Sequence, residues 1–213
     1  MNKAKIVQFF TRLRAQNPEP KGELNYTNPY TLLVAVALSA QATDTGVNKA
    51  TEKLFKIIKT PQDMLKLGET GLKKHIRTIG LFNTKAKNVM AAAEILVRDY
   101  DGIVPDSRDE LVKLPGVGRK TANVVLNIAF GQHTMAVDTH IFRIGNRTGM
   151  APGKTPEQVE DKLMKVVPDE FMRHAHHWLI LHGRYVCKAR TPDCPNCIVR
   201  DLCGFKDKTK RPE

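Results

Sequence analysis

Three helical patterns in this chain open on a capping residue followed at once by proline: Asn28-Pro29, Thr60-Pro61 and Thr155-Pro156. A short polar side chain accepts hydrogen bonds from the unpaired amides of a helix start, and proline has no N–H to lose at the first helical position. Behind each pair the apolar residues recur at helical spacing, and strand signals hardly appear. Leu32, Leu33, Val34, Val36 and Leu38 are apolar on most faces of their helix, which reads as central and buried. Asp44 is placed to cap a helix carrying Val47, Ala50, Leu54 and Ile57. The pair Asn83-Thr84 is placed to cap one carrying Val89, Ala92, Ala93 and Leu96. Ser107 with Glu110 has the form of a capping box. Gly68, Gly80 and Gly131 stand where helices should stop. Residues 4–15 and the stretches that start at Asp138-Thr139 and Pro168 complete an all-α reading of about ten helices on short loops.

One connection differs from the rest. Leu114-Pro115-Gly116-Val117-Gly118-Arg119-Lys120-Thr121-Ala122 sets two glycines around one apolar residue between two helical patterns, with two basic residues on the first turn that follows. Glycine permits positive φ and close approach of another backbone. A helix N-terminus offers free amides and a partial positive charge, which suit a phosphate. The stretch is a helix-hairpin-helix that grips a nucleic-acid backbone, or a glycine-capped turn with two solvated cations.

The formal net charge of +12 favours an acidic partner, with nucleic acid ahead of an anionic membrane. The apolar run from Leu32 to Leu38 is too short to span a bilayer, and no targeting segment is visible. A soluble cytoplasmic protein is expected. All four cysteines fall between positions 187 and 203, where metal binding suits a reducing compartment better than disulfides.

These cysteines read C-x6-C-x2-C-x5-C over Cys187, Cys194, Cys197 and Cys203. Zinc ribbons pair two C-x2-C knuckles across a longer gap, and here there is one. Four thiols in so short a loop suit a cubane iron-sulfur cluster, with zinc as the alternative. Asp138, in Val137-Asp138-Thr139-His140, is either a helix N-cap or a carboxylate at a cleft rim, 18 residues after Lys120. A lysine and a carboxylate together suit chemistry at a sugar carbon. The amine attacks C1′ while the carboxylate stabilises oxocarbenium-like charge or takes a proton.

The hairpin, the Val137-Asp138-Thr139 segment and the cysteine tail occur together and in order. In this the chain resembles the helix-hairpin-helix DNA glycosylase superfamily, and within it the iron-sulfur endonuclease III branch, from Met1 to about Phe205. The resemblance implies two helical domains with a DNA-binding cleft between them. One would be a six-helix barrel over 22–132, and the other an iron-sulfur cluster domain of 1–21 plus 133–213. It implies a monomeric base-excision-repair enzyme, nucleoid-associated in a prokaryote. This would be a DNA N-glycosylase for oxidised pyrimidines in duplex DNA that is also an abasic-site lyase, cutting 3′ to the sugar by β-elimination. Lys120 would be the nucleophile that forms the Schiff base, Asp138 the catalytic carboxylate, and the four cysteines the ligands of a [4Fe-4S] cluster. Gln41 and Leu81 would fill the gap left by a flipped nucleotide, although by themselves they read as a solvated loop glutamine and a core-edge leucine. Gly116, Val117, Gly118, Arg119, His140 and Arg143 would contact DNA. The adenine-mismatch members of the superfamily lack a lysine at position 120 and carry a further C-terminal domain, so Lys120 favours the lyase-competent branch.

Two other function classes fit parts of the pattern. A non-enzymatic hairpin module would bind DNA without needing Lys120 or Asp138. An iron-sulfur electron carrier would need no hairpin. His174, His176, His177 and His182 match no zinc spacing and read as packing residues. Lys73, Lys74, Arg77, Lys85, Lys87, Arg147, Arg184, Lys188 and Arg190 are candidate phosphate contacts.

Overall fold

The structure is a computed structural model that describes residues 1–210. Among these it has ten helices and no strand: α1 Lys3–Gln16, α2 Pro29–Leu38, α3 Asp44–Ile57, α4 Pro61–Ile76, α5 Phe82–Asp99, α6 Arg108–Leu111, α7 Arg119–Phe130, α8 Thr139–Thr148, α9 Pro156–Val166 and α10 Asp169–Tyr185. No helix among the described residues is long and apolar enough to cross a membrane. The chain divides into two compact units. One is Glu23–Gln132, and the other is Met1–Gly22 together with the chain from His133 onward.

The unit Glu23–Gln132 holds α2 to α7. Its centre is α2, which packs against α3, α5 and α7. Tyr30, Leu32, Leu33, Val34, Ala35, Val36 and Leu38 are all buried there. Asn28 and Thr31 cap the helix reciprocally, at 2.9 and 3.0 Å, and the Asn28 amide also donates to the Lys59 carbonyl at 2.8 Å. Thr60 and Asp63 repeat the arrangement at the start of α4. The Asp63 carboxylate accepts amides from Lys59 and Thr60 and is held below the usual carboxylate range, first by the Lys59 amide. Gly68, at φ 72°, breaks the helical path of α4 where the sequence places a stop.

Three expected caps differ. Thr43 caps α3 instead of Asp44, because its hydroxyl accepts the Gly46 amide at 3.1 Å; Asp44 then sits in the first turn, where its charge suits the helix dipole. Helix α5 starts at Phe82, ahead of Asn83-Thr84, and its cap position is Leu81 in the left-handed region at φ 58°. Ser107 makes no capping bond. Its partner in the expected box, Glu110, instead accepts from the Tyr100 hydroxyl and from Lys113.

In the other unit α10 packs on α1 and α8, and α8 packs on α9. Phe9, Phe10, Phe171 and Trp178 form its aromatic centre, with Phe10 stacked on Phe171 at 5.6 Å between centroids. The buried Trp178 indole donates to the Asn17 carbonyl at 2.7 Å. Helices α8 and α10 approach closely, since a Cβ on Gly183 would lie 2.8 Å from that of His140. From α1, Arg12 reaches the cysteine segment, donating to the Ile198 carbonyl at 2.8 Å and to both Asp201 oxygens.

Candidate DNA-processing site

The turn between α6 and α7 is built from its two ends. Leu114 and Val117 are buried, 2% and 6% exposed, and pin the loop to the core. The Val117 amide closes the turn onto the Leu114 carbonyl at 3.0 Å. Gly116 takes φ 78° and is seated on the Asn88 side chain of α5. Gly118 occupies the cap position of α7 with no side-chain cap, and nothing lies within 4 Å of where its Cβ would be. The amide-bearing first turn of α7 is therefore left open to an incoming group. Arg119 and Lys120 stand exposed on it. Burial of Val117 leaves its backbone, not its side chain, as the part available for contact.

Of the two readings the sequence left open for Asp138, the structure shows the N-cap. It caps α8, and it does so with one oxygen only: Oδ1 accepts the His140 and Ile141 amides, each at 2.9 Å. Oδ2 takes no part in the cap. The carboxylate is thus fixed in orientation while one oxygen stays available for chemistry. His140 follows it, half-buried.

The same helix holds the cysteine segment. Arg143 donates to the carbonyls of Cys187 and Gly183, each at 2.8 Å, and to that of Thr139 at 3.3 Å. Arg147 donates to the Lys188 and Ala189 carbonyls, each at 2.7 Å, and its guanidinium lies 4.6 Å from the Phe205 ring centre. These two cations, expected at phosphates, are engaged in bracing the chain around Cys187.

Cys187, Cys194, Cys197 and Cys203 line one pocket, with His182, Val199 and Phe205. Burial pushes the Cys197 thiol up to about 11 and the Cys203 thiol up as well. Donors already face the sulfurs. The Phe205 amide reaches Cys203 Sγ at 3.4 Å and Arg147 Nη1 reaches Cys187 Sγ at 3.6 Å. His182, which the sequence gives no reason to place here, has Nε2 3.7 Å from Cys197 Sγ. Burial holds this imidazole low, at about 4. Among the described residues no three His, Cys, Asp or Glu side chains are grouped to hold a single metal ion.

Gln41 and Leu81 share an unexpected backbone feature: both lie in the left-handed region, at φ 55° and 58°, and both are exposed. Leu81 is 62% exposed, so it is no core-edge residue. A large side chain in that region is strained, and Asp101, at φ 51°, is the third non-glycine residue there among the described residues.

Residues 34–169 match the HhH-GPD superfamily of base excision DNA repair proteins. The chain is 60% identical to endonuclease III of Escherichia coli K12, over 98% of this chain and 99% of that one. It is equally similar to the Haemophilus influenzae enzyme, at 60% over 99% and 100%. The chain belongs to the endonuclease III family. Its fold agrees with solved endonuclease III structures. A trapped endonuclease III–DNA covalent intermediate superimposes with a TM-score of 0.88 at 44% identity, over 95% of this chain and 96% of that one. A non-covalent endonuclease III–DNA complex gives the same TM-score, over 95% of each. The endonuclease III likeness extends beyond the superfamily match to the cysteine tail, since it covers nearly the whole chain.

Proposed function

We propose that this endonuclease III family member is a base-excision-repair DNA glycosylase and abasic-site lyase in which Lys120 is the nucleophile and Asp138 the catalytic carboxylate. Its substrate is duplex DNA that carries oxidised pyrimidines or abasic sites. Two separate observations support the residue assignment: Lys120 is exposed on an uncapped helix start, and Asp138 keeps one oxygen out of its own cap. The hairpin amides hold a backbone phosphate. The Lys120 amine attacks C1′, the bond to the damaged base breaks, and the base leaves with the bonding electron pair and takes up a proton. Asp138 stabilises the positive charge that develops on the sugar and accepts the proton lost by the attacking amine. The nitrogen lone pair then forms the C1′=N Schiff base as the C1′–O4′ bond breaks and O4′ takes up a proton, which opens the sugar ring; the Schiff base acidifies the C2′ hydrogen. Its removal expels the 3′ phosphate and cuts the strand. Gln41 and Leu81 occupy the gap in the duplex, and His140 contacts the strand near Asp138.

Cys187, Cys194, Cys197 and Cys203 hold a [4Fe-4S] cluster in this reading. The donor set fits: four thiols line one pocket, burial resists ionisation of Cys197 and Cys203 without a cationic core, and an amide and a guanidinium donor face two of the sulfurs. The cluster, when bound, would supply iron centres that tie the four cysteine thiolates together and so hold the segment from Cys187 to Cys203 in shape. Arg143 and Arg147 then connect that segment to the helix that Asp138 caps.

The test is reductive trapping. Borohydride added to the protein with an abasic-site duplex should yield a covalent adduct that Lys120→Ala abolishes. Tight binding with no adduct from the native chain would refute the lyase assignment. Purified protein should be brown, with iron and sulfide; stoichiometric zinc in a colourless protein overturns the cluster.

A further inference from the structure

Lys85 is a surface cation by its sequence context, yet it is only 7% exposed. Its Nζ is buried without a hydrogen-bond partner. Burial disfavours its charge, and no carboxylate offsets this. An ammonium in such a place is costly unless an anion joins it.

Its surroundings name the anion. Lys85 lies in the first turn of α5, a helix of 18 residues whose cap position, Leu81, makes no side-chain capping bond. The amides of Phe82, Asn83 and Thr84 precede the first helical hydrogen bond, from Lys85 N to the Leu81 carbonyl at 3.0 Å. Lys85 follows these amides directly, and the general lean of helical side chains toward the N-terminus puts that turn within reach of its flexible stem. Asn83 and Thr84 are exposed there, and Leu81 projects beside them. One turn further on, at the i+3 position, Asn88 supports Gly116 of the hairpin.

We propose that the open first turn of α5 and the Lys85 ammonium together bind a phosphate of the DNA strand next to the point where Leu81 enters the duplex. The proposal rests on the DNA-repair reading above. In the free protein the ammonium is stowed. Its flexible stem carries it to the phosphate, which meets the turn's amides and the helix dipole at once. Because α5 also carries Asn88, the second grip and the hairpin grip share one rigid helix. The strand is therefore held on either side of the gap, and Lys85 is a positioning residue, not a second nucleophile.

The experiment measures binding of the native chain, Lys85→Met, Lys85→Gln and Lys85→Arg to a duplex with an uncleavable abasic-site analogue, across a salt series. Loss of one phosphate contact should flatten the slope of log affinity against log salt by about 0.9 in the Met and Gln variants, with the Arg variant keeping the native slope. A single neutral methylphosphonate is then walked along the strand. One position should weaken the native chain and Lys85→Arg but leave Lys85→Met unaffected. Identical slopes and identical methylphosphonate profiles for all four proteins overturn the proposal. So does a lower Tm in the Met and Gln variants with the native slope retained, which makes Lys85 structural only. Peptide mapping of the borohydride adduct on the native chain should place it at Lys120, and an adduct on Lys85 refutes the positioning role. If the native chain does not prefer abasic to undamaged duplex, the repair reading itself fails, which is a separate outcome.

Discussion

The side chain of Asn88 lies directly beneath Gly116: a Cβ on that glycine would stand 3.0 Å from Asn88 Cβ and 3.1 Å from Nδ2. Gly116 also holds φ 78°, where any side chain is strained. Gly118, two residues on, has φ −90° and open space around it. The two hairpin glycines therefore serve different ends, one for the turn and one for access to the backbone.

Gly116→Ala should cost about 1–2 kcal/mol of stability, from the left-handed backbone and the displaced Asn88. Gly118→Ala should stay within about 0.5 kcal/mol of the native chain while weakening DNA binding, because a methyl group then stands over the open turn. Urea denaturation with parallel duplex binding checks both. Equal destabilisation of the two variants would contradict this division of roles.

Asp138 can be separated into cap and catalyst. Asp138→Asn keeps an oxygen for the His140 and Ile141 amides but loses the charge. Its stability should match the native chain within about 0.5 kcal/mol, while base release falls by roughly 10²–10⁴-fold. Asp138→Ala should lose about 1 kcal/mol as well as activity. Thermal unfolding set beside single-turnover base release distinguishes them, and an active Asn variant removes Asp138 from the chemistry.

The protein should lose stability in mild acid through His177. Burial first, then His174 and Arg173, hold this imidazole at about 4, against an ordinary 6.5. The unfolded chain therefore takes up a proton between those values that the folded chain refuses. The contribution is fully present above pH 6.5, is lost as pH falls to about 4, and is flat below that. Its size is on the order of 3 kcal/mol. His177→Gln should show a shallower fall in unfolding free energy between pH 6.5 and 4 than the native chain, and identical pH profiles would exclude His177 as the source.

What the sequence shows plainly is whatever is local. Asn28, Thr60 and Thr155 each cap the helix that the following proline announces, because cap and proline act within one turn. Ser107 makes no capping bond, and its expected box partner Glu110 is engaged by Tyr100, at the C-cap of α5. The start of α5 is hidden because Leu81 enters it from the left-handed region, for which an exposed leucine carries no signal. Arg143 and Arg147 look like surface cations until the chain around Cys187 returns, some 40 positions later, to meet them. Lys85 looks the same and is buried by tertiary packing. Asp138 is legible as a cap, because cap and helix are adjacent in the chain, but that a single oxygen makes both capping bonds is not.

Leu81 sets stability against function. A leucine at φ 58° carries a backbone cost that glycine avoids, and at 62% exposure it gains little from burial. Leu81→Gly should therefore relieve strain of about 1 kcal/mol, partly offset by the greater freedom glycine gives the unfolded chain, for a net change between zero and a gain of about 1 kcal/mol. Its affinity for an abasic-site duplex should fall several-fold, because the apolar group offered to the gap is gone. Leu81→Ala keeps the backbone strain and loses most of the side chain, so it should bind as poorly as the glycine variant without gaining its stability. Denaturation midpoints and binding to damaged and undamaged duplexes, measured for all three chains, test both halves. If the glycine variant is clearly less stable than the native chain, the strain argument fails; if it binds damaged duplex as well as the native chain does, Leu81 has no place in the gap.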